Sequence, residues 1–242
     1  MIIKSIPLLL IPVLIMGGTM DNYQTDRLQS TAGVIEITAI GHASLQLRLA
    51  DKVIHIDPVL REGDYATRPK ADLILVTHDH FDHLDSDAIN LVRTTATRLV
   101  YTAGCAARMP GGTVLANGAT MDLGWIHIEA VPAYNIKHLR APGQPFHPKG
   151  VGNGYVLTLG DKLIYIAGDT EDIPEMRELK NITIAFLPMN LPYTMTPEMV
   201  AGAARAFRPA ILYPYHFGNS DLQQLVKLLA DRPAIEVRLR DF

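Results

Sequence analysis

Residues 72–83 read DLILVTHDHFDH, an apolar run of strand length that ends directly in four ligating side chains. A continuous apolar run of this length marks a strand buried on both faces, which requires a sheet covered by other layers. In an extended segment alternate residues face one way, so His78 and His80 reach a common ion. Where the chain turns away, Asp82 and His83 swing toward a second ion beside the first. Neutral imidazoles and carboxylates suit zinc, with manganese or iron as alternatives.

Two further ligands are expected where strands end. KLIYIAGDT carries Asp169 just past its last apolar residue, and a carboxylate there is able to bridge two cations. ILYPYHFGN carries His216 in the same way. With a single cysteine, Cys105, neither an internal disulfide nor a cysteine-rich zinc site is available. Cys105 itself, in AGCAARM, reads as a small apolar filler.

The remaining composition narrows the class. The chain has 242 residues, 48% of them apolar, and a formal net charge of −3. That is enough to bury one sizeable core and excludes global disorder. Without a basic run there is no footprint for nucleic acid, so the expected partner is a small-molecule substrate. Residues 1–20 hold a short apolar run behind Lys4, too short for a comfortable membrane span, and resemble an export signal or N-terminal anchor. This predicts an exported, periplasmic or membrane-anchored protein. Residues 21–33 are polar and aperiodic and read as a tether, leaving 34–242 as the domain.

Within that domain strands are expected at 34–40, 44–50, 52–57, 72–77, 98–102, 113–117 and 125–133, then at 154–160, 162–168, 182–188, 210–215 and 234–240. Helices are expected at 86–97, 173–179, 196–207 and 221–230, and a Gly/Pro-rich loop over 135–153. LRLADKVIHID at 47–57 echoes LTLGDKLIYIA at 157–167 with an offset of 110. Each half is thus a hairpin, a buried strand and a helix, which predicts two sheets face to face with helices outside.

Together these residues resemble the metallo-β-lactamase superfamily. The likeness covers about residues 34–220 and rests on GHASL at 41–45, IDP at 56–58, THDHFDH at 77–83, FHPKG at 146–150, AGDT at 167–170 and YTMTPE at 193–198. The nearest branch in these motifs is that of ascorbate-6-phosphate lactonase-like and N-acylphosphatidylethanolamine phospholipase D-like hydrolases. The resemblance implies an α/β fold, an αββα sandwich of two mixed sheets. It also implies two metal ions and hydrolysis of a lactone, ester, amide or phosphodiester by a hydroxide that they share. The alternatives are an exported β-lactamase-type amide hydrolase, which a bridging Asp169 argues against, and a non-catalytic metal-binding protein.

The ligand sets follow from the same likeness. Site one would hold His78, His80 and a third histidine; site two would hold Asp82, His83 and His216; Asp169 would bridge. Many relatives carry the third histidine where this chain has Asn135. His147 of FHPKG is the preferred substitute and His138 its rival, with Asn135 close by in a supporting role. Asp57 is expected to orient a histidine, His42 to line the site, and His55 and His127 to be strand residues without chemistry. Asp82 and Asp169 are the candidate catalytic carboxylates, and Tyr193 a candidate oxyanion donor or substrate contact.

Overall fold

Hairpins that alternate inward and outward side chains build both layers of the protein, which the computed structural model describes over residues 23–242. The first sheet contains β1 (Thr25–Ser30), β2 (Gly33–Gly41), β3 (Ser44–Leu49), β4 (Lys52–Ile56), β5 (Leu73–Leu75), β6 (Arg98–Tyr101) and β7 (Thr113–Val114), in that spatial order. Next come β8 (Thr120–Asp122), β9 (His127–Ala133), a separate small hairpin of β10 (Leu139–Ala141) and β11 (Gln144–Pro145), and β12 (Gly152–Leu159). The chain continues with β13 (Lys162–Ile166), β14 (Ile184–Pro188), β15 (Ile211–Tyr215) and β16 (Glu236–Val237). The second sheet runs β8-β9-β12-β13-β14-β15-β16.

The two sheets are topological copies. Across each one the pairings run antiparallel three times and then parallel three times. The echo at offset 110 is the matching hairpin: Leu49 pairs with Lys52, and Leu159 pairs with Lys162. Each turn begins with a left-handed residue, Ala50 at φ 54° and Gly160 at φ 61°. Such turns suit the twist of a two-residue hairpin.

Between the sheets lies the main core, with Ile35, Leu45, Leu47, Ile54 and Leu73 facing Ile128, Tyr155, Leu157, Ile164 and Phe186. Helices α1 (Ser86–Val92) and α2 (Ala103–Arg108) cover the outer face of β5 and β6, where Ile74, Val76 and Leu99 meet Ala88, Ile89 and Cys105. On the other outer face α3 (Pro174–Arg177), α4 (Pro197–Phe207) and α5 (Leu222–Leu228) cover Tyr165, Ala185 and Leu212 with Met176, Ala203 and Leu225. Leu73, Ile74 and Leu75 therefore alternate between two cores, which is why their run is apolar throughout.

Several boundaries differ from the expectation. Residues 25–30 are no tether: they form β1, paired with β2 from Thr25↔Thr38 to Ser30↔Gly33. Only Leu28 of this strand packs on the core, so it lacks the apolar alternation that identifies a strand. Its anchor is polar, because Asp26 accepts from Tyr213 Oη at 2.7 Å and from Arg240 Nη2 at 2.6 Å. Helix α1 starts from Asp85, whose side chain accepts from the backbone of Asp87 and Ala88, and it stops at Val92 because Arg93 is extended. Helix α2, capped by Thr102, falls where none was expected, and the 135–153 loop contains β10 and β11. The expected leader at residues 1–20 lies outside the described residues. Among the described residues no helix is long and apolar enough to cross a membrane.

Candidate metal centre

The site lies along the edge where β5, β13 and β15 end. Thr77 leaves β5 with its N–H and hydroxyl both donated to Asp57, at 2.8 and 2.7 Å. Its carbonyl accepts from Asn153 N at 2.8 Å, which ties this edge to the second sheet. A turn follows, closed by His83 N and Leu84 N donating to the His80 carbonyl at 3.1 and 2.8 Å. After β13, Gly168 takes φ 64° and donates its N–H to Tyr215 Oη at 2.9 Å. A Cβ there would stand 2.5 Å from the Asn153 carbonyl oxygen, so only glycine lets the chain pass and present Asp169. His42, Asp57 and His216 all have left-handed backbones, at φ 52°, 43° and 46°. Such strain gathers at functional sites.

These turns bring the expected ligands together. His78, His80 and His147 each offer an atom within 4.8 Å of the others, as do His42, Asp82, His83 and His216, and as do His78, His83 and Asp169. Asp169 sits between the sets. Its Oδ2 is 3.3 Å from His147 Nε2, 3.4 Å from His216 Nε2 and 3.9 Å from His78 Nε2, while Oδ1 is 3.4 Å from His83 Nε2. Asp82 Oδ2 faces His216 Nε2 at 3.7 Å and His83 Nε2 at 4.0 Å.

A second ring of contacts orients the imidazoles. His83 Nδ1 meets Asp57 Oδ2 at 2.7 Å, and His78 Nδ1 meets the Thr77 hydroxyl at 3.1 Å. Asn135 Oδ1 accepts from both the backbone N (2.8 Å) and Nδ1 (2.7 Å) of His147, turning Nε2 toward Asp169. Asn135 Nδ2 donates to the Tyr193 carbonyl and to Glu171. Buried Glu171 also accepts from the backbone N–H groups of Ile136, Lys137 and His138. His138 turns away from the cluster: its Nδ1 lies 2.8 Å from the Thr194 carbonyl and 3.0 Å from Glu171 Oε1.

His42 stands closer to the cluster than its sequence context indicated. Its ring lies 3.8 Å, centroid to centroid, from that of His216, and its Nε2 is 3.2 Å from Asp82 Oδ2. Tyr193 is 45% exposed and packs edge-on against Phe146 at the rim of the site. His55 is buried in β4 against the Pro69 carbonyl, and His127 is a partly exposed partner of Asp122. Cys105 is buried in the outer core.

The protonation states already favour cations. Burial drives His78 well below its ordinary range and lowers His80 and His147, the last to about 4. All three rings of site one therefore keep a free lone pair near neutral pH. For His83 burial opposes charge, but Asp169 and Asp57 outweigh it and hold the ring well above its usual range. Burial likewise works against a charged Asp169, yet His216 and His83 keep its carboxyl well below the carboxylate range. A cation is thus favoured at His83 Nε2, whether a proton or a metal. His78 Nε2, His83 Nε2, His216 Nε2 and Asp169 Oδ1 are buried and lack any hydrogen-bond partner. Orphaned donor atoms of this kind, converging within ligand distance of one another, fit divalent metal ions.

The comparisons agree with this geometry. The family model described as "Beta-lactamase superfamily domain" matches residues 36–216. The chain is 30% identical to the UPF0173 metal-dependent hydrolase of Methanopyrus kandleri over 197 residues, 76% of this chain and 85% of that protein. A metal-dependent hydrolase of Thermococcus onnurineus is also 30% identical, over 84% of this chain and 95% of its own. Among solved structures, a proposed metal-dependent hydrolase from Parabacteroides distasonis superposes with a TM-score of 0.87 at 46% identity, covering 91% of this chain and 99% of that one. Igni18, a metallo hydrolase from Ignicoccus hospitalis, shares the fold with a TM-score of 0.68 at 24% identity, over 85% of this chain and 94% of its own.

Proposed function

The chain belongs to the metallo-β-lactamase superfamily and is a metal-dependent hydrolase, and on that premise we propose that two metal ions serve the cleavage of a lactone, ester, amide or phosphodiester. One observation carries the two-ion reading: the Asp169 carboxylate lies within 4 Å of imidazoles from both ligand sets, with Oδ1 and Oδ2 turned to different partners. His78, His80 and His147 would hold one ion, Asp82, His83 and His216 the other, and Asp169 both. Zinc suits this set of nitrogen and carboxylate ligands best, with manganese or iron as alternatives. When bound, the ions would supply a nucleophilic water acidified toward neutral pH and a Lewis acid for the attacked group.

The protein's own residues arrange the rest. Asp57 and Asn135 fix the rings of His83 and His147, so that each presents Nε2 to the site. Asp82, with 19% of its side chain exposed against 4% for Asp169, faces the cleft, and its contact with His42 Nε2 offers a released proton a way outward. Tyr193 borders the same cleft as a substrate contact.

Metal analysis of the purified protein is expected to find about two first-row ions per chain. Hydrolysis of a panel of lactones, phosphodiesters and β-lactams should then be lost on chelation and return with zinc. One ion or none in fully active protein would refute the two-ion reading. The apolar run behind Lys4 supports export, which fractionation of the native host tests; full-length protein recovered in the cytoplasm would end that reading.

A further inference from the structure

Two guanidinium groups border the metal site without serving it. The cleft above the histidines measures about 490 Å³, and its walls include Arg108, Arg140, Phe81, Phe146 and Tyr193. Arg108, the last residue of α2, donates Nη1 to the carbonyl oxygen of Asp79 and is thereby moored between His78 and His80. Arg140, in β10, stands 5.6 Å over the ring of Phe146, the neighbour of His147. Both are therefore fixed on the side of the cleft that carries the first ligand set. They come from different halves of the chain, one from the end of a helix and one from a small hairpin, and line one cleft.

Neither is neutralised. Arg61, Arg177, Arg205, Arg238 and Arg240 each hold a carboxylate. Among the described residues no ion pair engages Arg108 or Arg140. A guanidinium has five N–H donors in a planar fork that matches carboxylate or phosphate oxygens. Arg108 spends one of these on Asp79, and Arg140 spends none on the protein. The same cleft is lined by aromatic rings, with Phe81 70% and Tyr193 45% exposed. Exposed aromatic rings suit an apolar segment, and two unpaired arginines in the same cleft suit an anion.

We infer that Arg108 and Arg140 form a subsite for a negatively charged group of the substrate, a carboxylate or a phosphate, carried at a distance from the bond that is cut. The substrate class is thus an acid with an apolar body, whose hydrolysable ester, lactone, amide or phosphodiester lies at the metals while its anionic end lies at the arginines. This rests on the hydrolase reading above for the position of the scissile bond. The recognition of the anion stands on the arginines themselves.

The test uses metal-loaded, full-length protein and calorimetric binding of linear dicarboxylates from succinate to suberate. Each is compared with the monocarboxylate of equal chain length, and ω-phosphonoalkanoates form a second arm. At one length the diacid should bind about tenfold more tightly than its monoacid, the low end for charge-assisted bonds in an open cleft. In the R108Q/R140Q protein that advantage should vanish while monoacid affinity and metal content hold. Should the double variant lose metal, R140Q alone, which leaves the Asp79 contact intact, should still lose most of the advantage. A tighter phosphonate identifies a phosphate-bearing substrate, and a tighter dicarboxylate a carboxylate-bearing one. No diacid advantage at any length, or an advantage that survives both variants, overturns the proposal. Failure to hydrolyse esters and phosphodiesters that carry a carboxylate at the best-binding length would count against the hydrolase reading alone, because the binding comparison does not depend on turnover.

Discussion

Replacing Asn135 by alanine isolates the support of a single ligand. The change removes the acceptor of His147 N (2.8 Å) and Nδ1 (2.7 Å), and the donor to Glu171 (3.1 Å) and to the Tyr193 carbonyl (2.8 Å). His147 is only 5% exposed, so water does not replace the lost acceptor. Each buried donor left unpaired costs about 1–3 kcal/mol, and two on His147 give a loss of about 2–6 kcal/mol. Glu171 keeps three backbone donors and adds little. With His147 free to turn, affinity at the first ligand set should fall about 10–100-fold. Urea denaturation of chelated protein reads the first effect, and competition with a chromophoric chelator reads the second. Asn135→Asp keeps the acceptor but sets a second carboxylate beside Glu171, so it should hold metal better than the alanine variant while still losing stability. An alanine variant with an unchanged midpoint and wild-type metal affinity would refute the reasoning.

Three further outcomes are expected. His147→Ala should empty one metal position and abolish hydrolysis while His138→Ala leaves both intact; metal content of the two variants side by side decides it, and the reverse pattern would reassign the ligand. His55, held down to about 4 by burial, is neutral in the folded protein but protonates near 6.5 once unfolded. Its contribution is therefore fully present above pH 6.5 and lost as pH falls toward 4, a change of about 3 kcal/mol. Urea midpoints at pH 7 and 4.5 should converge in His55→Gln, and an undiminished pH slope there would contradict this. Gly168→Ala forces a Cβ to within 2.5 Å of the Asn153 carbonyl at φ 64° and should cost at least about 2 kcal/mol with loss of metal, read by melting temperature and metal analysis.

Legibility in the sequence followed locality. His78, His80, Asp82 and His83 stand within six residues of one another after an apolar strand, so spacing alone indicated a shared ion. Asp169 and His216 were visible as polar residues at strand ends. His147 was not reachable by spacing, since its role depends on Asn135, twelve residues away, and it came only from family likeness. Glu171 escaped notice because its partners are the N–H groups of residues 136–138, more than thirty positions back. His42 was read as lining the site, but nothing in GHAS announces the left-handed backbone that folds its ring against His216. In the fold, the paired hairpins showed through the offset of 110, whereas β1 did not, because a strand anchored by Asp26, Arg240 and Tyr213 carries no apolar rhythm.

The twinned sheets have a consequence for how the molecule comes apart. His78 and His80 belong to the first copy and His147 to the second; Asp82 and His83 belong to the first and His216 to the second. Every ion held at this edge would therefore rivet one copy to the other, and none would be internal to either. Chelation should accordingly act as the withdrawal of a fastener from a seam. The rim between the sheets should gain hydrogen exchange first, at Thr77, Asn153 and Gly168, while β3–β4 and the remainder of the β12–β13 hairpin, from Tyr155 on, keep their protection. In such a protein the retention of metal and the mutual registry of the two sheets are one quantity. A substitution deep in the seam, far from any ligand, should then reveal itself as a change in how tightly the metal is kept.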